Sequence, residues 1–193
     1  MAVEIVPMAA VESAIDGLLV ITTKAVTDER GTVREFFRTS GFTEAGVPVP
    51  DRWEQVNMTW THTGGVRGLH GEAMTKLVGI AAGEAFGAYV DARAGSATFG
   101  AVVTVPLTVG TQVLVPAGVL NGFQAVSEGG CQYLYCFDSE WRPGMAGVAV
   151  TPLDPELGIA WPVPLDPTDP SRVSAKDAAA PRFSELPREE TVA

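Results

Sequence analysis

Short runs of hydrophobic residues, separated by glycine, proline and aspartate, recur along most of the chain. Their spacing of roughly ten residues, with turn signals between them, is typical of an all-β sandwich or barrel. The predicted strands cover residues 17–27, 32–39, 53–62, 76–82, 85–92, 98–106, 111–115, 122–127 and 131–138. Residues 41–46 (GFTEAG) are expected to form one helical turn, and no long segment has the period of an amphipathic helix.

The clearest alternation between polar and apolar residues lies in QVNMTWT, residues 55–61. Successive side chains of a strand point to opposite faces. One face therefore carries Val56, Met58 and Trp60, and the other carries Gln55, Asn57, Thr59 and Thr61. Uncharged amides and hydroxyls are unusual on a solvated face. The pattern leaves two interpretations open, a surface strand or a polar row that lines a ligand pocket inside a barrel.

The chain is predicted to form one domain over residues 1–193, with an N-terminal extension up to about residue 16. From residue 151 onward prolines recur and no strand is expected. We expect an extended C-terminal tail over about 163–193 that packs on the barrel. The apolar residues 159–162 (IAWP), just before it, are expected to pack down on the same body.

The amino-acid composition limits the classes of molecule that the chain is expected to bind. A formal net charge of −10 argues against nucleic acid or an anionic membrane, because both require a positive surface. A small anionic ligand needs only a few local cations. No apolar stretch reaches the ~18 residues that span a bilayer, and the N-terminus lacks the basic start of a signal peptide. These features predict a soluble, cytoplasmic protein.

The cysteines and histidines are few. Cys131 and Cys136 lie in one predicted strand, where disulfide geometry is rare, and are expected to be buried, reduced residues. The two histidines are His62 and His70, and His70 lies in the glycine-rich stretch GGVRGLHGE, close to Arg67. A histidine can transfer protons near neutral pH, or it can fill a hydrogen-bonded niche. The stretch alone leaves both interpretations open.

Several short motifs occur in a fixed order along the chain: DERG (28–31) with Glu35, QVN (55–57), GVRGLH (65–70), KLV (76–78), VDARAGSATFG (90–100), PAGVLNGF (116–123), DPELGIAWP (154–162) and SAKD (174–177). In this order they resemble the dTDP-4-dehydrorhamnose 3,5-epimerases, cupin-type jelly rolls of deoxysugar biosynthesis. The resemblance runs from about residue 17 to residue 185. It implies a double-stranded β-helix that forms a homodimer and acts on a dTDP-linked 4-keto-6-deoxyhexose without metal or cofactor.

The resemblance also implies roles for residues of this chain. His70 occupies the position of the catalytic base, and Asp177 that of its partner carboxylate. Tyr135 is the expected opposite-face acid, because the family's aromatic residue follows its tyrosine by six positions, as Trp141 follows Tyr135. Tyr133 stays open as the alternative acid. Lys76 matches a lysine beside the reacting sugar. The expected substrate-binding residues are Arg30, Glu35, Gln55, Asn57, Arg67, Asn121, Trp141 and Lys176.

The implied chemistry agrees with these residue types. A ketone at C4 acidifies the protons on C3 and C5, and inversion needs a base on one face and an acid on the other. Histidine, with a pKa of ~6.5, suits the base. A planar guanidinium such as that of Arg67 or Arg30 suits a diphosphate, and a cation such as Lys76 favours the enolate.

Four departures from the family pattern fall around this expected site. Lys76 follows His70 by only six positions, where the family has about ten. Asn121 replaces a histidine, Gly87 replaces a common acidic residue, and Ala146 replaces a glutamate. The catalytic set is therefore retained and the binding periphery is altered, so the substrate and the number of inverted carbons are less defined than the reaction type.

Three alternatives remain open from the sequence. An epimerase that inverts only C3 or only C5 in a secondary-metabolite pathway fits the altered periphery. A non-catalytic nucleotide-sugar-binding cupin would not need His70, Tyr135 and Asp177 together. A metal-dependent cupin needs two or three converging histidines, and this chain has two histidines eight positions apart.

Overall fold

The computed structural model describes residues 3–187. These residues form fourteen strands: β1 (Glu4–Val6), β2 (Ala9–Glu12), β3 (Leu19–Thr22), β4 (Ala25–Asp28), β5 (Gly31–Arg34), β6 (Gln55–Thr61), β7 (Val66–Glu72), β8 (Lys76–Ala82), β9 (Ala85–Asp91), β10 (Val102–Leu107), β11 (Thr111–Val115), β12 (Val119–Ala125), β13 (Cys131–Phe137) and β14 (Gly147–Ala149). Two short α-helices are α1 (Thr39–Glu44) and α2 (Ala175–Ala178), and two 3₁₀ turns span Pro155–Leu157 and Phe183–Glu185.

The strands form three antiparallel sheets. One large sheet has the order β2-β3-β11-β8-β13-β6, and the other has the order β10-β9-β12-β7-β14. A small third sheet, β1-β4-β5, carries the hairpin around Asp28–Gly31. The strand-rich architecture confirms the predicted all-β cupin jelly roll, in which two sheets pack face to face.

The main core fills the space between the two large sheets. Its buried side chains come from strands of both sheets and include Val78, Tyr89, Val113, Phe123 and Tyr133. Phe123 and Tyr133 stack across this space with ring centroids 3.8 Å apart and planes 3° apart. Both rings also border a cavity, which is lined further by residues of β6, β7, β8, β12 and β13.

Both outer faces are covered by irregular segments. The helix α1 packs Phe42 onto the six-stranded sheet, against Leu77 and Leu114. On the five-stranded sheet, Ile159 and Trp161 pack beside Leu69, Val90 and Leu120. The prediction that residues 159–162 pack on the body is therefore confirmed. The central strands of each large sheet are covered on both faces, which explains why strands such as β8 and β9 contain long runs of buried residues.

Several predicted strand boundaries are wrong for identifiable reasons. The predicted strand 17–27 is two strands, because Thr23 donates its amide to Gly110 instead of continuing the ladder. The predicted strand 32–39 ends at Arg34, and the helical turn expected at 41–46 begins earlier, at Thr39. The prediction also missed β7, whose glycines at 68 and 71 depress the strand signal.

The structure describes most of the two chain ends. Residues 1, 2 and 188–193, which belong to the predicted N-terminal extension and C-terminal tail, lie outside the described residues. Within the extension, β2 joins the six-stranded sheet and β1 joins the small one. Between residues 151 and 187 the described chain has no strand, as expected, but it forms turns, two 3₁₀ turns and the helix α2.

Candidate active site

A cavity of about 560 Å³ opens between the two large sheets. Its walls come from β6, β8 and β13 on one side and from β7 and β12 on the other, and residues 170–177 close it from above. Nine of the twelve residues proposed from the sequence line it: Gln55, Asn57, Arg67, His70, Lys76, Asn121, Tyr135, Trp141 and Asp177. The topology therefore brings together side chains that are more than a hundred positions apart.

A bulge in β7 aims two of these side chains at the cavity. Asn121 pairs with His70 and Phe123 pairs with Arg67. A step of three residues along β7 therefore corresponds to a step of two residues along β12. Residues three apart on a regular strand face opposite sides, but the extra residue lets Arg67 and His70 share one side. Leu69 between them turns outward and is fully buried. The bulge accounts for one glycine of the glycine-rich sequence beside His70, namely Gly68.

Gly68 allows the bulge to form. Its φ is +118°, and a Cβ at this position would lie 2.6 Å from the Cα of Gly122 and 2.7 Å from the carbonyl oxygen of Asn121. A larger residue would separate β7 from β12 at the level of the two cavity side chains. Gly68 of GVRGLH and Gly122 of LNGF are therefore required by one close approach between strands.

His70 is held by Asp177. His70 Nε2 lies 2.7 Å from Asp177 Oδ1, and the imidazole is about one-third exposed while the carboxylate is buried. A carboxylate can only accept, so Nε2 carries the hydrogen in the neutral ring and Nδ1 keeps a lone pair. His70 is therefore arranged as a proton acceptor with a fixed tautomer.

Asp177 is positioned by the start of α2. Ser174 caps this helix by accepting the amide of Asp177 at 3.1 Å, and α2 contacts β7. Burial raises the pKa of the Asp177 carboxyl, but the hydrogen bond and charge of His70 more than offset this, so the net pKa lies below its usual value. Asp177 is therefore ionised at neutral pH and stabilises a protonated His70.

Lys76 lies at the base of the cavity, at the first position of β8. Its ammonium donates to the carbonyl of His70 at 3.3 Å, to Asn121 Oδ1 at 2.8 Å and to the carboxylate of Glu72. Burial lowers the pKa of Lys76, and Glu72 acts in the opposite direction. Glu72 was not among the residues proposed from the sequence, although it lies two positions after His70 and so on the same face of β7.

The two candidate tyrosines of β13 occupy different environments. Tyr135 is partly buried, and its hydroxyl shares a hydrogen bond of 2.7 Å with Thr59 Oγ1 of the neighbouring strand. Tyr133 is 1% exposed, and burial raises its pKa well above the usual value. Both side chains line the cavity. A phenol that donates a proton becomes a phenolate, and deep burial disfavours that charge. The partly buried Tyr135 therefore suits the role of acid better than Tyr133.

The polar row of β6 faces the cavity, which decides between the two interpretations of QVNMTWT. Gln55 donates to Asn57 Oδ1 at 3.1 Å and accepts the backbone amide of Trp141 at 2.8 Å. Thr61 accepts from Arg67 Nε at 2.9 Å. The apolar row, Val56, Met58 and Trp60, is more than half exposed, and of these three Trp60 also borders the cavity. This strand has therefore turned its polar side inward.

Three proposed binding residues lie outside the cavity. Arg30 pairs with Asp28 at the tip of the β4–β5 hairpin, and its side chain is 90% exposed. Glu35 pairs with Arg38 at 2.8 Å and with Lys24 at 3.5 Å. Lys176 is exposed on α2. None of the three is among the residues that line the cavity of their own chain.

The structure shows where the residues that depart from the family pattern lie. Asn121 lines the cavity and bonds Lys76, so it belongs to the candidate site. A Cβ on Gly87 would lie 2.8 Å from the hydroxyl of Tyr89, so Tyr89 occupies the space that an acidic side chain would need. Ala146 is exposed beside the short segment after His70 and accepts the amide of Ala73.

The described residues also bear on metal binding and on membrane insertion. Within residues 3–187, no group of three or more histidine, cysteine, aspartate or glutamate side chains is arranged to hold a metal ion. The helices in that range are all too short to cross a bilayer. Cys131 and Cys136 are buried and unlinked, as predicted.

Known proteins match this chain over nearly its whole length. Residues 12–185 match the model of the dTDP-4-dehydrorhamnose 3,5-epimerase family. The dTDP-4-dehydrorhamnose 3,5-epimerase of Salmonella typhimurium is 35% identical over 90% of this chain and 94% of its own length. A 3,5-epimerase from Legionella pneumophila, solved with dTDP-4-keto-L-rhamnose, has a TM-score of 0.79 at 34% identity, covering 93% and 95% of the two chains.

A relative of narrower action matches almost as well. A 3'-monoepimerase from Streptomyces bikiniensis, solved with dTDP-quinovose, has a TM-score of 0.78 at 31% identity, covering 89% of this chain and 86% of the other. A double mutant of that enzyme, with a histidine changed to asparagine and a tyrosine to phenylalanine, was solved with dTDP (TM-score 0.76, 29% identity, 90% and 86% covered). Sequence and fold agree, and the chain belongs to the dTDP-4-dehydrorhamnose 3,5-epimerase family.

Proposed function

We propose that this chain is an isomerase that epimerises a dTDP-linked 4-keto-6-deoxyhexose at C3, at C5 or at both. The observation that carries the proposal is the His70–Asp177 pair on one wall of a cavity whose opposite wall carries Tyr135. Relatives that carry this activity in their names, and ligands such as dTDP-4-keto-L-rhamnose in their structures, support the substrate class.

The base half of the reaction uses His70. Its Nδ1 lone pair removes a proton from the carbon beside the C4 ketone, and the electrons of that C–H bond move to the C4 oxygen as an enolate. The positive charge that develops on the imidazole lies 2.7 Å from the ionised Asp177. General base catalysis of this kind contributes ~10²–10⁴-fold to a rate.

The acid half uses Tyr135 from the facing sheet. Its hydroxyl returns a proton to the opposite face of the carbon as the enolate collapses to the ketone, and the tyrosine then regains a proton from solvent while His70 releases one. Thr59, which shares a hydrogen bond with Tyr135, can donate to the transient phenolate. Tyr133 remains the alternative acid, and its deep burial argues against a transient negative charge on it.

The remaining cavity residues would hold the substrate. Lys76 lies where a cation can favour the enolate oxygen, and Asn121 beside it is a further polar contact for the sugar. Arg67 suits one phosphate of the diphosphate. Gln55 fixes the backbone of Trp141, whose exposed ring offers a flat apolar face to thymine. Asn57 completes the polar row near this end.

The active form is proposed to be a homodimer. The edge strand β6 exposes Val56, Met58 and Trp60 by 59, 62 and 51%, and the small sheet exposes Ile5 and Val33 by 62 and 73%. Exposed apolar rows on an edge strand are a liability unless a partner covers them. A second copy seated on β6 would also explain why Arg30 and Glu35 lie outside the cavity of their own chain, because each could reach the cavity of the other copy.

Subunit complementation tests the proposed dimer. Co-expression of Arg30→Ala/Glu35→Ala with His70→Asn gives mixed dimers in which one cavity has both an intact His70 and an intact hairpin from its partner. The expected activity exceeds the mean of the two separate variants. An activity equal to that mean contradicts action across the interface, and a monomer by light scattering contradicts the dimer itself.

The reaction is tested by incubating the protein with dTDP-4-keto-6-deoxyglucose in deuterated water and locating deuterium by NMR. Incorporation at both C3 and C5 with inversion supports a 3,5-epimerase. Incorporation at C3 alone supports the second candidate, a monoepimerase, which the match to the Streptomyces enzyme favours. Tight binding without any exchange supports the non-catalytic binder and eliminates the proposed reaction.

We place this reaction in the cytoplasm, where the two unlinked and buried cysteines suit the reducing conditions. Lys176, which lies next to Asp177 on α2, is proposed as an outer contact to the ligand once the cavity is filled. The proton transfers described above use only side chains of the chain. Metal analysis of active purified protein tests that part of the proposal, and activity proportional to metal content contradicts it.

A further inference from the structure

Glu72 is a partly buried carboxylate in the cavity that the proposed proton transfers do not use. Its side chain is 18% exposed and forms an ion pair with Lys76, whose side chain is 6% exposed. Glu72 shares a face of β7 with His70, two positions away, and lies four positions before Lys76. The short segment between His70 and Lys76 therefore folds back so that its own acid meets the lysine.

The ammonium of Lys76 uses all three of its donors. Glu72 takes one, Asn121 Oδ1 takes a second at 2.8 Å, and the His70 carbonyl takes the third at 3.3 Å. An ammonium has three hydrogens and no acceptor. A substrate oxygen must therefore replace one partner, and the contact to the His70 carbonyl is longer than that to Asn121.

The charge state of Lys76 depends on the groups that surround it. Glu72 and His70 face it from β7, Asn121 from β12, and Phe137 from β13, with its ring centroid 5.9 Å from Nζ. Glu72 is the carboxylate in this set. Burial alone lowers the pKa of Lys76, and the charge and hydrogen bond of Glu72 raise it. A neutral Lys76 could not offer a cation to an enolate oxygen.

The same contact orients Asn121. Because an ammonium only donates, the Oδ1 of Asn121 must face Lys76, and its Nδ2 group with two donors is turned away from it. Asn121 also lines the cavity. The orientation of the amide at this altered position therefore depends on Lys76, which in turn depends on Glu72.

We propose that Glu72 is a positioning residue, which holds Lys76 as an ammonium ion and thereby fixes the orientation of the Asn121 amide in the cavity. The proposal rests on the proposed function for its catalytic consequence. Its physical part, a carboxylate that sustains a buried ammonium, stands apart from any activity. The two parts can therefore be measured separately.

The chain is well suited to a direct measurement, because it contains three lysines, Lys24, Lys76 and Lys176. Lysine labelled with ¹³C at Cε gives three signals, and Lys24 and Lys176 serve as internal references. In Glu72→Gln, which keeps the shape and one acceptor, we expect the titration of Lys76 to move down by at least ~1 pH unit. The same titration in Glu128→Gln, an exposed turn acid, should leave Lys76 unchanged.

The kinetic arm uses the same variants. Glu72→Gln should lower kcat and move the alkaline limb of the kcat profile to lower pH with little change in KM, because Lys76 loses its proton earlier. Glu72→Asp, which keeps the charge, should recover most of the parent profile. A kcat profile that stays in place while kcat falls would indicate a merely structural role and overturn the proposal.

The outcomes separate this proposal from the proposed function. A Lys76 signal that titrates at the same pH in the parent and in Glu72→Gln overturns the role of Glu72, whatever the activity. If Glu72→Gln does not fold, Glu72→Ala decides, since removal of the carboxylate should lower the Lys76 titration in the same direction, while Glu72→Asp remains the rescue. A parent protein that binds nucleotide-sugar and catalyses no exchange overturns the proposed function, and the NMR titration still reports on the ion pair.

Discussion

Two aspartates of this chain are buried, accept charged hydrogen bonds and have a lowered pKa, yet they belong to different kinds of site. Asp91 is fully buried at the end of β9 and accepts from Arg93, Ser96 and Thr98. Asp177 accepts from His70 at the edge of the cavity. Their burial and their pKa directions do not distinguish them.

The difference lies in the partner. The guanidinium of Arg93 is always charged, and its Nη2 also donates to the backbone of Asp16, so the Asp91 cluster ties the N-terminal segment to the 91–98 loop. His70 can gain and lose a proton and keeps one ring nitrogen for another molecule. A buried carboxylate therefore indicates function only when its partner titrates and faces a cavity.

The largest expected effect tests the titrating partner. His70→Asn keeps a polar side chain near Asp177 but removes the base, so exchange of the C3 and C5 protons should fall by ~10²–10⁴-fold while nucleotide-sugar still binds. NMR in deuterated water measures the exchange, and titration calorimetry measures the binding. His62→Asn, at an exposed histidine that also lines the cavity, is the matched control and should retain far more exchange than His70→Asn. Exchange within tenfold of the parent in His70→Asn would eliminate the base assignment.

The second effect tests the facing wall. Tyr135→Phe removes one hydroxyl and keeps the ring contact with Phe137. Proton removal by His70 can continue, whereas reprotonation on the opposite face is lost, so inversion should fall by ~10²-fold or more with a smaller loss of exchange. Comparing product stereochemistry with deuterium uptake separates the two.

The matched control for this variant is Tyr133→Phe, which changes the neighbouring ring in the same way. It should cost at most a hydrogen bond of ~1 kcal/mol in stability and little activity. Loss of inversion in Tyr133→Phe with retention in Tyr135→Phe would reverse the assignment of the acid.

The Asp91 cluster should respond in the opposite way to the cavity. Asp91→Asn leaves Arg93 without its carboxylate and should lower the free energy of unfolding by ~2–3 kcal/mol, because breaking a buried charged pair leaves one ion uncompensated. Urea denaturation measures this change. The kcat of the folded fraction should remain near that of the parent, and a selective loss of kcat would show that the cluster communicates with the cavity.

Asp177→Asn should show a functional loss with little change in stability at neutral pH. An asparagine can present its amide to Nε2 of His70, which favours the wrong tautomer and does not stabilise the imidazolium, so kcat should fall by ~10–100-fold. Steady-state kinetics and urea denaturation on the same sample give both numbers. An unfolding midpoint that falls as far as in Asp91→Asn, with kcat intact, would make Asp177 a structural residue.

The sequence predicts more of the fold than of the site geometry. Turn spacing predicts the all-β class, and the alternation in β6 predicts its two faces. The strand β7 is missed because Gly68 and Gly71 carry no strand signal, and the bulge that aims Arg67 and His70 arises from a close approach to Gly122 on a distant strand. Glu72 would have emerged from the period of two once β7 was recognised as a strand.

The positions of Arg30 and Glu35 outside the cavity were not predicted for a different reason. Their roles follow from a resemblance, and a resemblance does not say which copy of the chain supplies a residue. The hairpin that carries Arg30 belongs to the small sheet β1-β4-β5, away from the cavity of the same chain. A quaternary arrangement depends on surfaces such as the exposed row Val56, Met58 and Trp60. Alternation along the sequence does not say whether such a row faces solvent or a partner.

The smallest expected effect compares the two aspartates in acid. Each has a folded-state pKa below its unfolded value, so each contributes stability that is present above the unfolded pKa of ~3.9 and is lost as pH falls through the folded pKa. Because Asp177 is held by one histidine and Asp91 by an arginine and two hydroxyls, the contribution of Asp91 should persist to lower pH.

Urea denaturation at steps from pH 6 to pH 3 measures this comparison. The difference in free energy of unfolding between the parent and Asp177→Asn should shrink by about 1 kcal/mol or less. The difference between the parent and Asp91→Asn should be largely retained at pH 3. Equal retention at pH 3 would mean that the two carboxylates are held alike, and the distinction drawn from their partners would not extend to stability.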